Sequence, residues 1–296
     1  MSIPTSLAPT LRSLCADQLP KNRSGWCRPD TRVRWVTTRR ALDGSAGDAD
    51  YGRIGPGYRS YRQPEPEFEA AILRALGGAE SVINVGAGAG SYEPRDRRVT
   101  AVEPSASMRA QRPADAPVSI DAAAESLPFP DGSFDAAMAT FSVHQWADLD
   151  RGLAEMRRVA TGPVVIMTCD PALVPRFWLS EYVPDVLVTE SRRYPASDRI
   201  AAAVGGTVEF LHLPIPLLCR DGFCEAYYGR PEMFLDPGAR RANSAWSFID
   251  PHLADIGVER LRIDLETGAW DTAYGQLRTQ PHYDGALVLV VANPNT

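Results

Sequence analysis

The chain is predicted to fold as an α/β protein: a Rossmann-like, seven-stranded, mostly parallel sheet with helices on both faces. Three observations predict this. Short apolar runs of strand length alternate with segments of helical period along most of the 296 residues. The runs are continuously apolar rather than alternating, as strands buried on both faces are. The first of them flows into glycines at every second position, a turn that leaves bare backbone at the carboxyl edge of the sheet.

Taken in order, residues 1–50 show no sustained period. They carry an arginine-rich patch (Arg28, Arg32, Arg34, Arg39, Arg40) and then the stretch DGSAGDAD, and are expected to form a poorly ordered extension. One domain is expected over 51–296. Its aromatic lead-in (Tyr51, Tyr58, Tyr61, Arg62) precedes a helix from about Pro66 to Leu76. Phe68, Ile72 and Leu76 share one face there, and Gly77-Gly78 ends it. Strands are expected at 81–85, 97–103, 116–122, 133–141, 162–169, 207–215 and 285–292, with helical patterns at Ser105–Gln111 and Leu149–Val159. The stretch 216–284 is rich in aromatic residues and too long for a hairpin. It is expected to be a helical insertion before the last strand, lying as a substrate lid over the carboxyl edge.

Composition narrows the function. A net charge of −6 does not attract phosphate backbones or anionic lipid, so neither nucleic acid nor a membrane surface is the expected partner. No apolar run approaches the roughly 20 residues of a membrane span. The opening MSIPTSLAPT has no basic region followed by an apolar stretch, which gives a cytoplasmic expectation. The five cysteines and four histidines form no CxxC pair or ligand cluster, so no metal site is expected. Arginine in place of nearly all lysine, with abundant Ala, Gly and Pro, points to a GC-rich bacterial genome. Oligomeric state is not legible.

The chemistry concentrates in residues 82–146. In Val82-Ile83-Asn84-Val85-Gly86-Ala87-Gly88-Ala89-Gly90, Val85, Gly86, Ala87 and Gly88 are the residues expected at a ligand. The spacing is GxGxG, and Ser91 stands where a dinucleotide fingerprint needs its third glycine. Glu103, with Pro104 after it, closes the second strand. A carboxylate at a solvent-facing strand tip can accept both hydroxyls of a ribose, although a nicotinamide cofactor would use it equally.

The run AAAESLPFPDGSFDAAMATFSVHQW (122–146) then resembles the A-E-x-L-P-F-x-D-x-x-F-D pattern of class I S-adenosylmethionine-dependent methyltransferases. The likeness is to those related to the ubiquinone and menaquinone enzymes and to bacterial small-molecule methyltransferases, including those of natural-product pathways. The resemblance implies S-adenosylmethionine as cofactor, with Ala124 and Glu125 at the adenine, Met108 near the adenosine, and Phe141 beneath the sulfonium. It also implies that Tyr58 and Arg62 fold over the cofactor, the arginine toward its carboxylate. Relatives carry an aspartate before the A-E pair; here that position is Ala123, and the nearest acid is Asp121. Gln145 and Trp146 would line the acceptor pocket, and Tyr228 and Trp246 would reach it from the insertion. His144 is the candidate base for an acceptor that must lose a proton, or a hydrogen-bonded structural group. Trp146 and Met108 read equally as helix packing. The expected activity is methyl transfer to an oxygen, nitrogen or carbon of a small, apolar or aromatic molecule. The alternatives are an NAD-dependent oxidoreductase and a non-catalytic S-adenosylmethionine-binding protein.

Overall fold

A computed structural model describes residues 57–117 and 119–295. The reading of 1–50 as an extension, and Tyr51, lie outside the described residues. Helix α1 (Tyr58–Tyr61) is a single turn, and α2 (Pro66–Leu76) follows with Pro66 in its first turn and Gly77 closing it at φ 56°. Proline costs nothing at a first helical turn, and glycine tolerates the left-handed exit.

The strands are β1 (Ser81–Val85), β2 (Arg98–Val102), β3 (Ser119–Ile120), β4 (Ala136–Thr140), β5 (Val164–Cys169), β6 (Thr207–His212) and β9 (Leu287–Asn293), and they make one seven-stranded sheet in the order β3-β2-β1-β4-β5-β9-β6. The pairs from β3 through β5 are parallel, and β9 runs antiparallel to both β5 and β6. The fold is the one expected. β7 (Ile215–Pro216) and β8 (His282–Tyr283) form a separate two-stranded ribbon.

Alternate residues of the central strands enter two cores. Val82, Met138, Val165 and Met167 face one side with Phe68, Ile72 and Leu76 of α2. Ile83, Val85, Ala137, Ala139 and Ile166 face the other, with Leu153, Met156 and Val159 of α4 (Leu149–Val159) and Ile200 and Val204 of α6 (Ser197–Val204). Both faces are dry, which is why these strands read as continuous apolar runs.

The one-turn helix α3 (Ala106–Arg109) follows β2, and between β5 and β6 lie α5 (Pro184–Arg193) and α6. Between β7 and β8 come short 3-10 turns with α7 (Pro237–Arg241), α8 (Pro251–Thr267) and α9 (Ala269–Tyr274). The aromatic residues of 216–284 serve the first core. Trp270 and Tyr228 are fully buried, Trp178 lies edge-on to Trp270, and Phe234 stacks on Trp246.

The Phe134-Asp135 and Leu127-Pro128-Phe129 motifs are structural. Asp135 Oδ2 accepts the Glu80 and Ser81 N–H groups at 3.0 and 2.8 Å, joining the starts of β1 and β4. The turn at 127–129 is held on α4, where Arg158 donates to the Leu127 and Phe129 carbonyls and Glu155 accepts the Leu127 N–H.

Candidate functional site

In the β1–β2 register Val85 lies opposite Val102. The glycine turn and Glu103 therefore leave the sheet side by side, and β4 delivers Phe141 next to them. The turn is stitched down because Gly86 and Ala87 both donate to the Val102 carbonyl at 2.9 Å. A cavity of about 560 Å³ opens over this carboxyl edge, within the usual size range of small-molecule sites.

The structure brings most of the sequence-chosen residues to this one cavity. Tyr58, Arg62, Gly86, Ala87, Gly88, Glu103, Pro104, Met108, Ala124, Glu125, Phe141, Gln145 and Trp146 all line it. Val85 does not; it is core, and its carbonyl accepts the Ser142 hydroxyl at 3.0 Å. His144 lies outside it, at a smaller pocket beyond Phe141. Tyr228 and Trp246 do not reach it. The Tyr228 hydroxyl donates to the Gln280 carbonyl at 2.6 Å with its ring stacked on Tyr283, and Trp246 lies under the Arg240 guanidinium.

Glu103 is not the solvent-facing residue expected. It is 7% exposed. Its Oε2 accepts the Gly88 N–H at 2.8 Å and its Oε1 the Ser105 N–H at 2.7 Å, so the carboxylate clamps the turns after β1 and β2. Each oxygen has a second lone pair, so both remain able to accept a ligand hydroxyl. Burial raises its pKa from the ordinary value, and the two backbone N–H bonds oppose that rise.

The glycines do different things. Gly86, at φ 70°, faces the protein: a Cβ there would sit 2.6 Å from the Ser142 Cβ. Gly88, at φ 52°, has only the Met108 methyl at 3.4 Å in that direction, so its backbone is the part bared to the cavity. Phe141 has φ 49°, a conformation that costs a bulky residue energy and clusters at ligand sites. Trp146 both lines the cavity and packs α4, where Gly152 gives its ring room.

Asp121 does not line the cavity; its carboxylate is 68% exposed and pairs with Arg109 at 2.9 Å. Glu125 offers the cavity a carboxylate whose Oε1 already accepts the Asp148 N–H at the start of α4.

Arg62 is engaged within the protein. Its guanidinium forms a buried ion pair with Asp221 and lies 4.9 Å over the Phe141 ring. The Tyr92 hydroxyl adds a bond to the other Asp221 oxygen at 2.8 Å. Asp221, Tyr92 and Ser142 also border the cavity and were missed by sequence reasoning. Asp221 left no signal, being a lone acid in a loop far along the chain.

His144 is buried and edge-on to Tyr194 at 4.7 Å. Burial, with the charges of Arg193 and Arg62, pushes its pKa well below the ordinary histidine value. It is therefore neutral near pH 7 and a weak proton acceptor, which counts against it as the base.

Comparison with known proteins agrees with this geometry. Residues 83–163 match a family model described as a methyltransferase domain. A solved structure of a putative methyltransferase from an antibiotic biosynthesis pathway of Anabaena variabilis superposes with a TM-score of 0.73 at 28% identity, covering 79% of this chain and 99% of that one. The SpnF cyclase shares the fold, with a TM-score of 0.50 at 16% identity, covering 83% and 94% of the two chains. No curated protein sequence matches. Over residues 83–163 the chain therefore carries a methyltransferase domain of the S-adenosylmethionine-dependent type. None of the helices among the described residues is long and apolar enough to cross a membrane.

Proposed function

We propose that the chain methylates a small, largely apolar or aromatic molecule in a bacterial natural-product pathway, using the 560 Å³ cavity for both donor and acceptor. The observation that carries this is the convergence on one cavity of a bared glycine backbone, a carboxylate at the tip of β2 and a strained aromatic residue after β4. These residues fit S-adenosylmethionine. Gly88 leaves space that a Cβ would fill, Glu103 can accept ribose hydroxyls, and Met108, Ala124 and Glu125 would border the adenine. Tyr58, Arg62 and Phe141 would border the methionyl end, with Gln145 and Trp146 toward the acceptor.

When bound, the cofactor supplies an electrophilic methyl group. The chain's residues position the acceptor for in-line attack and exclude water, an effect worth about 7–11 kcal/mol when the alignment is good. The antibiotic-pathway assignment of the Anabaena protein supports a natural-product acceptor, and the net charge of −6 supports a small molecule over nucleic acid and fits a cytoplasmic enzyme.

The test is thermal shift with S-adenosylhomocysteine and with NAD. S-adenosylhomocysteine is expected to raise the melting temperature by mass action and NAD to leave it unchanged. A shift with NAD alone would overturn the reading.

A further inference from the structure

Beyond Phe141 the large cavity adjoins a small enclosed pocket of about 30 Å³, and Tyr58, Arg62 and Phe141 border both. Its far wall is polar: His144 after β4, Glu190 and Tyr194 at the end of α5, and Asn243 and Ser244 before α8. That volume admits one or two atoms of water size. It suits the tip of a molecule whose body lies in the larger cavity.

Two atoms of this wall are buried with no hydrogen-bond partner among the described residues: Glu190 Oε2 and His144 Nδ1. A buried carboxylate oxygen left without a donor is costly, and such a group calls for an explanation. Glu190 Oε1 takes a long contact from the Tyr194 hydroxyl, at 3.5 Å, and the Cys224 thiol also lies against this carboxylate. Neither group is used by the cofactor cavity.

We propose that this pocket receives the hydroxyl end of the acceptor and that Glu190 is the residue that binds that hydroxyl and takes its proton. The proposal rests on the methyltransferase reading above and names the acceptor as a hydroxyl compound, a phenol in view of the aromatic walls Phe141, Phe223 and Tyr194. As the acceptor oxygen forms its new bond to the methyl carbon, the S–C bond of the donor breaks and sulfur keeps the electron pair. The hydroxyl proton passes to Glu190 Oε2. The products are a methyl ether, a neutral thioether and a protonated carboxyl group.

The charges around the pocket suit this division. Burial raises the Glu190 pKa, against the pull of the Cys224 thiol, Arg193 and Arg62, which makes it a better proton acceptor than an ordinary carboxylate. His144 is held neutral by burial, Arg193 and Arg62, and Tyr194, Cys169 and Cys224 are kept in their protonated forms by burial. Two titratable groups driven apart in this way mark an assignment of roles. Arg62 and Arg193 lower the cost of negative charge developing on the acceptor oxygen.

The experiment titrates 4-nitrophenol into the protein saturated with S-adenosylhomocysteine, following the visible absorption of nitrophenolate, with 4-nitroanisole as the analogue lacking the hydroxyl. Wild type is expected to bind 4-nitrophenol saturably and to ionise it below its solution pKa. Glu190→Gln should weaken that binding at least about tenfold and abolish the spectral change, while 4-nitroanisole binds both proteins alike. Glu190→Asp, which retains the charge but shortens the reach, should lie between them and serves if the glutamine variant does not fold. Equal nitrophenol affinity and spectra in wild type and variants, or no saturable binding to wild type, overturns the proposal. The S-adenosylhomocysteine thermal shift is read on the same samples. Its absence in wild type would sink the methyltransferase reading itself, whereas its presence with unaltered nitrophenol binding sinks only the role of Glu190.

Discussion

Arg62 and Asp221, 159 residues apart in sequence, form a buried ion pair that ties the lead-in segment to the turn after β7, at the rim of the cavity. The tie is reinforced by backbone: Gly222 N–H donates to the Tyr61 carbonyl at 2.8 Å, and Arg220 N–H to Glu65 Oε2 at 2.9 Å. The segment implied to fold over the cofactor is thus already latched.

Removing one partner of a buried pair strands the other charge, at about 3–5 kcal/mol. Asp221→Asn is therefore expected to destabilise strongly and to weaken cofactor binding by loosening the rim. The double variant Arg62→Met with Asp221→Leu should be more stable than the sum of its single changes. Chemical denaturation of wild type, Arg62→Met, Asp221→Leu and the double variant gives the cycle; additive effects would show that the pair is not coupled.

Glu103→Ala is expected to lose cofactor affinity by about 2–4 kcal/mol, since charge-assisted bonds to the ribose go with the side chain. It should also lower stability, because the Gly88 and Ser105 N–H groups lose their acceptor. Glu103→Gln leaves an acceptor for only one of the two. It should recover part of the stability and little of the affinity. Calorimetric titration beside thermal melting separates the effects, and an unchanged affinity in the alanine variant would remove Glu103 from the site.

The two glycines of the turn are expected to fail for different reasons. At Gly86 an added Cβ meets Ser142, so Gly86→Ala should be destabilising by about 1–3 kcal/mol even without ligand. Ser142→Gly should relieve the part due to the clash and leave the part due to positive φ. At Gly88 the space ahead is the cavity, so Gly88→Val should cost cofactor binding above all. If Gly86→Ala melts like wild type, the close approach to Ser142 is not what fixes that position.

The sequence was most informative where burial repeats along one element. α2 and α4 begin and end where Phe68/Ile72/Leu76 and Leu153/Met156/Val159 and their caps place them, and the strand cores of β1, β4 and β5 coincide with continuous apolar runs. Among the described residues β3 spans Ser119–Ile120, shorter than the expected 116–122. The glycine turn, Glu103 and Phe141 were legible because they are local to strand ends. Asp221, Glu190 and Tyr194 were not, since their roles arise only when distant loops and helices meet. The same limit applies to Tyr228 and Trp246. An aromatic-rich stretch announces burial, but its composition does not say which rings face a cavity and which the core; here those of Tyr228 and Trp246 face the core, while Phe223 borders the small pocket.

Glu225 offers a test of packing by pH. It is 4% exposed, and its Oε2 accepts the Ala286 N–H at 2.8 Å, joining the turn after β7 to the start of β9. Burial raises its pKa to about 8, against the Ala286 bond and with help from the charge of Glu190. A carboxyl group raised in the fold holds its proton there over a range in which the unfolded chain has lost it. Between about pH 4.5 and 8 the native state therefore binds more protons than the unfolded state, and stability falls as pH rises through that window. Below it the two states are equally protonated, and above it the loss is complete, on the order of 5 kcal/mol for this group alone. Glu225→Gln keeps an acceptor for the Ala286 N–H and cannot ionise. Its stability relative to wild type is expected to increase steadily from pH 5 to pH 8, so the difference between the two unfolding curves isolates this residue from every other titration. Wild-type and variant profiles that run parallel across the window would show that Glu225 is ionised in the folded protein throughout.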